Sequence, residues 1–291
     1  KEKCRALYQM GINRLSIGLQ STNDMELKTL GRIHSYEDFL NTYTWCREAG
    51  FQNINVDLMA ALPYQIVESY TTGLRKIIRL APEHISAYSL ILEEGTPFYQ
   101  KYNSGCYPLP DEEQERLMYR ETEQILAQAG YERYEISNYA KKGYACRHNL
   151  VYWQGGDYLG LGLGSSSYMD GVRFHNTTDL NTYVNQGAYV EDREELSVQA
   201  KMEEFMFLGL RVMAGVSGTE FEKRFGKTME DVYGDVLRKH EEEGLLQIER
   251  KEDRKEAAAA EPAKGKTNIE KVMLTTNGVD VSNYVFADFL L

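Results

Sequence analysis

The chain has 291 residues, 42% of them hydrophobic and 26% charged, and a formal net charge of -11. That length allows a full-sized core in one large or two ordinary domains, and the acidic balance opposes unassisted binding to nucleic acid or an anionic membrane, which both need concentrated Lys and Arg. No apolar run approaches the roughly 18 residues that span a bilayer, and no charged-then-apolar opening suggests a signal, so the chain reads as cytoplasmic. The four cysteines, at 4, 46, 106 and 146, lie too far apart for a CxxC-type metal clip. Cys4, Cys46 and Cys106 are expected to be reduced and mostly buried. The chain opens at Lys1, inside a helical pattern and without Met, which predicts a fragment whose front part is missing.

In chain order, the run 13–19 (NRLSIGL) predicts a strand. Ser35 reads as an N-cap, with Phe39, Tyr43 and Cys46 on one helical face and Gly50 as the stop. A second strand is expected at 54–60 (INVDLMA). The helix after it carries Tyr70, Leu74, Ile77, Ile78 and Ala81 and closes at Pro82. A third strand is expected at 85–92. Strand–helix alternation of this kind predicts parallel strands with crossover helices. A further acidic helix spans 111–129, and the Tyr- and Gly-rich stretch 131–170 reads as extended. From about Glu194 the texture changes: helices at 198–214, 218–225 and 229–243 precede ribbon strands at 245–248 and 272–274, a winged-helix-like pattern. Residues 251–267, charged and Ala-rich without an apolar face, read as a solvated loop.

Three polar residues stand where parallel α/β folds place function. Gln20 follows the first strand, Arg32 lies in the connection after it, and Asp57 sits near the C-terminal end of the second strand. The densest cluster is Cys146-Arg147-His148-Asn149-Leu150-Val151-Tyr152-Trp153. Imidazole is a standard iron ligand and flat rings can line a porphyrin, although the residues by themselves favour a packed His–aromatic cluster. Gly160, Gly162 and Gly164 form GLGLG, which lacks the pattern of a phosphate loop, so close packing within a strand is the expectation. His34, His84, His175 and His240 suggest no role.

The segments GINRLSIGLQS, NVDLMAALP, YEISNYAKKGYACRHNLVYWQGGDYLGLGLGSSSY and LTTNGVDVSNYVFADFL, spread over Gly11 to Leu290, resemble the HemW family. These are heme chaperones of the radical-SAM superfamily, related to oxygen-independent coproporphyrinogen III oxidase, and HNxxYW, here His148 to Trp153, looks like their distinguishing element. The resemblance implies an α/β fold: the C-terminal half of a radical-SAM (β/α)6 partial barrel with its extension at 1–193, lacking the first three βα units, then a smaller HemN-type, winged-helix-like domain at 194–291. It implies S-adenosylmethionine contacts at Gln20, Arg32, Asp57 and, through backbone, Ile91. It implies heme contacts at His148, Asn149, Tyr152 and Trp153, with His148 toward the iron. The implied [4Fe-4S] cluster has no CxxxCxxC motif in this chain, which is therefore expected not to be catalytic by itself.

The implied function is delivery of heme to a respiratory protein; the alternative is oxidative decarboxylation of coproporphyrinogen III. Heme and its acceptor are the expected partners, with peripheral membrane contact only through partners, and a homodimer is an open expectation. DNA binding through the winged-helix-like end is opposed by 8 Lys and Arg against 11 Asp and Glu in 196–250. Because lengthening a surface loop costs only about 0.6 kcal/mol per doubling, replacing 251–267 by a short Gly-Ser turn should lower the melting temperature by less than about 5 °C.

Overall fold

The computed structural model describes residues 1–187, 189–251 and 269–291. The loop expected at 251–267 lies outside the described residues from 252 onward. Two compact units divide between Ala145 and Cys146. The sequence division at 193/194 followed a change of texture, whereas the contacts group residues 146–193 with the C-terminal module.

The first unit runs α1 (Glu2–Gln9), β1 (Leu15–Gln20), α2 (Asp24–Thr29), α3 (Tyr36–Ala49), β2 (Ile54–Ala60), α4 (Val67–Arg79), β3 (His84–Ser89), α5 (Pro97–Asn103), α6 (Glu112–Gln128), β4 (Glu132–Glu135) and β5 (Asn138–Ala140). Its sheet has the order β1-β2-β3-β5-β4. β1, β2 and β3 are parallel neighbours, and β5 adds antiparallel to β3. The helix α3 forms where the sequence placed it because Ser35 and Asp38 close a capping box and Gly50, at φ 110°, stops it.

Alternation sorts the parallel strands into two faces. Leu19, Ile54, Val56, Leu58, Ile85 and Ala87 point into a core with Phe39 and Tyr43 of α3 and Leu74 and Ile77 of α4. Full burial of each such large apolar side chain is worth about 1.5–3 kcal/mol. The opposite face carries Ser16 and Gly18 in register with Asn55 and Asp57, and Asn55, Asp57 and Met59 in register with His84, Ser86 and Tyr88; past Gly18 the β1 register shifts, so that Gln20 pairs with Leu58.

The second unit comprises α7 (Arg147–Trp153), β6 (Ser166–Met169), β7 (Val172–Asn176), α8 (Leu180–Gln186), β8 (Val190–Glu195), α9 (Val198–Gly209), β9 (Val216–Ser217), α10 (Gly218–Phe225), α11 (Met229–Glu242), β10 (Leu246–Arg250), β11 (Ile269–Leu274), α12 (Thr276–Asp280) and α13 (Ser282–Ala287). One sheet is the meander β6-β7-β8; the other, β10-β11-β9, accompanies α9, α10 and α11. The expected two-stranded ribbon thus gains β9, whose two residues pair with Val272 and Lys271 of β11. Phe221, Tyr233, Leu237, Val272, Val285 and Phe289 are buried in this module.

Two expectations need correction. Cys106 is exposed, because it follows the Ser104–Gly105 turn that ends α5. The stretch 131–170, expected to be extended, contains the helix α7; its two turns are too short to show a period.

His84, fully buried, binds Asn55 Oδ1 through Nδ1 at 2.6 Å and the Tyr134 hydroxyl through Nε2 at 2.8 Å. Burial, with a smaller push from Arg14, brings its pKa down to about 3. The folded ring stays neutral while the unfolded ring titrates near 6.5, so this contribution is full above about pH 6.5 and is lost as pH falls toward 3. The slope it adds is at most about 1.4 kcal/mol per pH unit. His84→Gln should flatten the stability profile between about pH 6 and 5, where few carboxylates titrate. Equal slopes in urea titrations of parent and variant would refute the buried neutral ring.

Candidate functional site

Two of the expected cofactor residues, Gln20 and Asp57, come together on the polar face of the first unit, and the charge of the third, Arg32, is felt there at Tyr88. Gln20 ends β1 in a left-handed conformation (φ 72°) and is 5% exposed. Its side-chain oxygen accepts from the Tyr88 hydroxyl at 3.1 Å. Gly18 makes room for this amide: a Cβ there would lie 2.9 Å from Gln20 Nε2 and 3.8 Å from Asp57 Oδ2. Asp57 Oδ1 accepts from Asn55 Nδ2 at 2.6 Å, and the Ser16 hydroxyl lies 3.4 Å from both carboxylate oxygens. Arg32 is exposed in the connection between α2 and α3. Tyr88 reports the meeting of these charges: burial and then Asp57 push its pKa up, while the Gln20 hydrogen bond and Arg32 oppose the rise.

Ile91 is placed differently from the sequence expectation. β3 ends at Ser89, opposite Ala60, the last residue of β2. Past that pair the neighbouring chain turns off toward Pro63, whose nitrogen carries no proton for a ladder. Ile91 therefore lies beyond the strand, with its side chain 81% exposed.

Sequence reasoning missed Tyr88, whose role depends on the β2–β3 register. It also missed Glu26, a buried carboxylate that accepts from Ser21 Oγ at 2.5 Å and Gln65 Nε2 at 2.9 Å. This pairing ties the residue after Gln20 to the connection that follows β2.

In the second unit the HNxxYW residues stand on α7 as two pairs four positions apart, and such pairs share a helix face. His148 and Tyr152 meet edge to face, with ring centroids 4.7 Å apart. His148 is exposed and makes no hydrogen bond among the described residues. Beyond Tyr152 the rings continue to Tyr158 at 4.5 Å and Tyr168 at 6.3 Å. Asn149 and Trp153 form the other pair and are half-buried. The Arg211 guanidinium lies 4.5 Å from the centre of the Trp153 ring. Trp153 Nε1 is enclosed without a hydrogen-bond partner among the described residues. Cys146, next to the motif, is buried.

GLGLG is a turn and not a strand. Gly162 and Gly164 take positive φ of 103° and 65°, which a pleated strand does not accommodate, and this leaves Leu161 85% exposed. Close packing holds for Gly160 alone, where a Cβ would overlap the Ser166 carbonyl oxygen. Among the described residues, no group of three or more His, Cys, Asp or Glu could hold a metal ion. No helix among them is long and apolar enough to cross a membrane.

Comparison with known proteins agrees with this architecture. The radical SAM superfamily model matches residues 1–77 and the HemN C-terminal domain model matches 196–252. Coproporphyrinogen III oxidase (HemN) from Escherichia coli, described as a radical SAM enzyme, superposes with a TM-score of 0.78 over 99% of this chain and 66% of its own, at 19% identity. The fold is thus that of a radical-SAM protein carrying a HemN-type C-terminal domain.

Sequence likeness is narrower. Heme chaperone HemW of Lactococcus lactis is 34% identical over 100% of this chain and 72% of its own length, and heme chaperone HemW of Bacillus subtilis is 37% identical over 84% and 66%. The chain belongs to the HemW family. It spans about two thirds of the length of the Bacillus subtilis relative, 66%.

The packing at Gly160 gives a direct check. Gly160→Ala forces the backbone off β6, and overpacking of this kind costs about 1–3 kcal/mol. The variant should unfold at a lower urea concentration than the parent, and an unchanged midpoint would show that the loop does not press on β6.

Proposed function

We propose that this chain is the heme-handling part of a heme chaperone: it binds heme at the His148 face of α7 and passes it to a respiratory protein. The observation that carries the proposal is the exposed His148 ring, which has no hydrogen-bond partner among the described residues and stands edge-on to Tyr152. An imidazole committed to packing would be enclosed and hydrogen-bonded, as His84 is. A reachable imidazole beside aromatic rings has the chemistry of an iron ligand. Aromatic contacts add roughly 1 kcal/mol each beyond area burial, which suits Tyr152. Trp153, packed under Arg211 on the other face of the helix, serves the same site by holding α7 in place, and Asn149 lies half-buried on that face.

The polar face of the first unit fits S-adenosylmethionine. Gln20 and Arg32 have the donors and acceptors for its amino-acid end, Asp57 has free lone pairs for ribose hydroxyls, and the backbone near Ile91 is open to a base. Such a cofactor supplies one-electron chemistry when it sits beside a reduced iron–sulfur cluster. The thiols of this chain do not fit a cluster: the Cys4 and Cys46 sulfurs, 3.5 Å apart, meet as a pair between α1 and α3, and burial first of all pushes Cys46 up to about 12. The likeness to coproporphyrinogen III oxidase, at 19% identity, is a likeness of fold, so decarboxylation remains the alternative.

Hemin titration followed at the Soret band tests the ligand. His148→Ala should weaken binding about tenfold or more, the loss of one charge-assisted or coordinate contact, and should shift the band. His175→Ala, a histidine of the β6-β7-β8 sheet, should leave both unchanged. A folded His148→Ala with parental affinity and spectrum would remove His148 as ligand.

A further inference from the structure

Two cavities of the second unit meet at one pair of side chains. The first, of about 280 Å³, is lined by Trp153, Val212 and Val216 together with Phe205 and Arg224. The second, of about 310 Å³, is lined by Tyr168, Asp170, Lys201 and Glu204, again with Phe205 and Arg224. Arg224 lies over the Phe205 ring at 5.3 Å and forms the partition. The first falls just below and the second just inside the lower end of the range for ligand sites, about 300–1,000 Å³, a volume for the arm of a large ligand and not for its body.

Charge on the partition is unevenly spent. Glu204 is held by Arg173 at 2.9 and 3.0 Å, so its carboxylate is already answered. Glu220 takes only Nε of Arg224, at 2.8 Å, and Nη1 reaches the Gln154 carbonyl oxygen at 3.5 Å. Nη2 has no acceptor among the described residues. Lys201 is half-buried and forms no ion pair or side-chain hydrogen bond among them. Its ammonium is laid over the β6–β7 turn, where a Cβ on Gly171 would collide with Nζ. Asp170 is the remaining acid of the wall, and it is exposed to water. A half-buried ammonium without a counter-charge is poorly solvated and gains most from an incoming anion.

The second cavity also touches the heme site through rings: Tyr168, on its wall, ends the row that begins at His148 and Tyr152. We propose that Lys201 and Arg224 form the anion subsite that takes the side-chain carboxylates of a tetrapyrrole, fixing the ring's orientation over the tyrosine row. This rests on the heme reading above and adds to it a requirement: the ligand must carry free acids.

Comparing hemin with its dimethyl ester on the intact chain tests this without a variant. Hemin should bind about tenfold more tightly than the ester, the scale of one charge-assisted contact. Lys201→Met, which keeps the apolar stem, should bring hemin down to the ester's affinity and leave the ester unchanged, and Lys201→Arg should restore most of the difference. Equal binding of acid and ester by the parent overturns the subsite while leaving the heme reading intact. A preference for the acid that survives both Lys201→Met and Arg224→Met overturns it as well. Failure of both ligands to bind the parent removes the heme reading, and the subsite with it.

Discussion

The Asn55 carboxamide is the interaction on which the polar face of the first unit depends. Its oxygen accepts from His84 at 2.6 Å and from Ser86 at 3.2 Å, and its nitrogen donates to Ser16 at 2.7 Å and Asp57 at 2.6 Å. One buried side chain thereby links three parallel strands on the side away from the helices. A parallel sheet covered on both faces reads as continuous apolar runs. This sheet alternates, so one face must be satisfied by its own hydrogen bonds or by a ligand. Toward the base of that face, at Asn55 and His84, the polar groups satisfy one another. Toward the C-terminal ends of the strands, at Gln20, Asp57 and Tyr88, they are left with spare capacity.

That gradient explains why Gln20, Asp57 and Tyr88 keep spare hydrogen-bonding capacity at the strand ends. Buried polar groups are costly unless paired, and the lower part of the face pays no penalty because Asn55 uses both ends of its amide. Rigid pairing below holds Asp57 in one position with its second oxygen only weakly engaged. Above it, the left-handed Gln20 and the empty Cβ position of Gly18 turn an amide across the strand ends. Non-glycine residues in this backbone region persist where the surroundings over-determine them, often at ligand sites.

Legibility in the sequence followed the range of the forces involved. The helix from Ser35 to Gly50 could be read because its capping box and stop are local. The strand at 54–60 could be read because it is β-branched, bounded and seven residues long. What failed was short or non-local. α7 has seven residues, under two periods of a helix, and its aromatic content mimics a strand. β9 has two residues and exists only through its partner. Tyr88 is indistinguishable from other tyrosines until the register of β2 and β3 sets it beside Gln20. Gln20 and Asp57 were therefore legible as residues of the strand ends, but the contacts that organise the face around them were not. In GLGLG the error came from reading glycine as close packing alone, when two of the three glycines serve positive φ.

The HNxxYW motif shows how a single helical spacing can serve two demands. Positions four apart share a face, so the motif is two faces written in one string. Trp153 under Arg211 lies on the side turned to the α9 module, and its enclosed Nε1 marks it as an anchor, a donor given up so that the indole can fill space. His148 and Tyr152 are then presented from a seven-residue helix that would not hold its shape alone in water. The anchor supplies the rigidity and leaves the His148 and Tyr152 rings on the open face. On the heme reading proposed above, a ligand on an exposed face of a firmly held helix suits transfer better than one enclosed in a core, where departure would require the core to open.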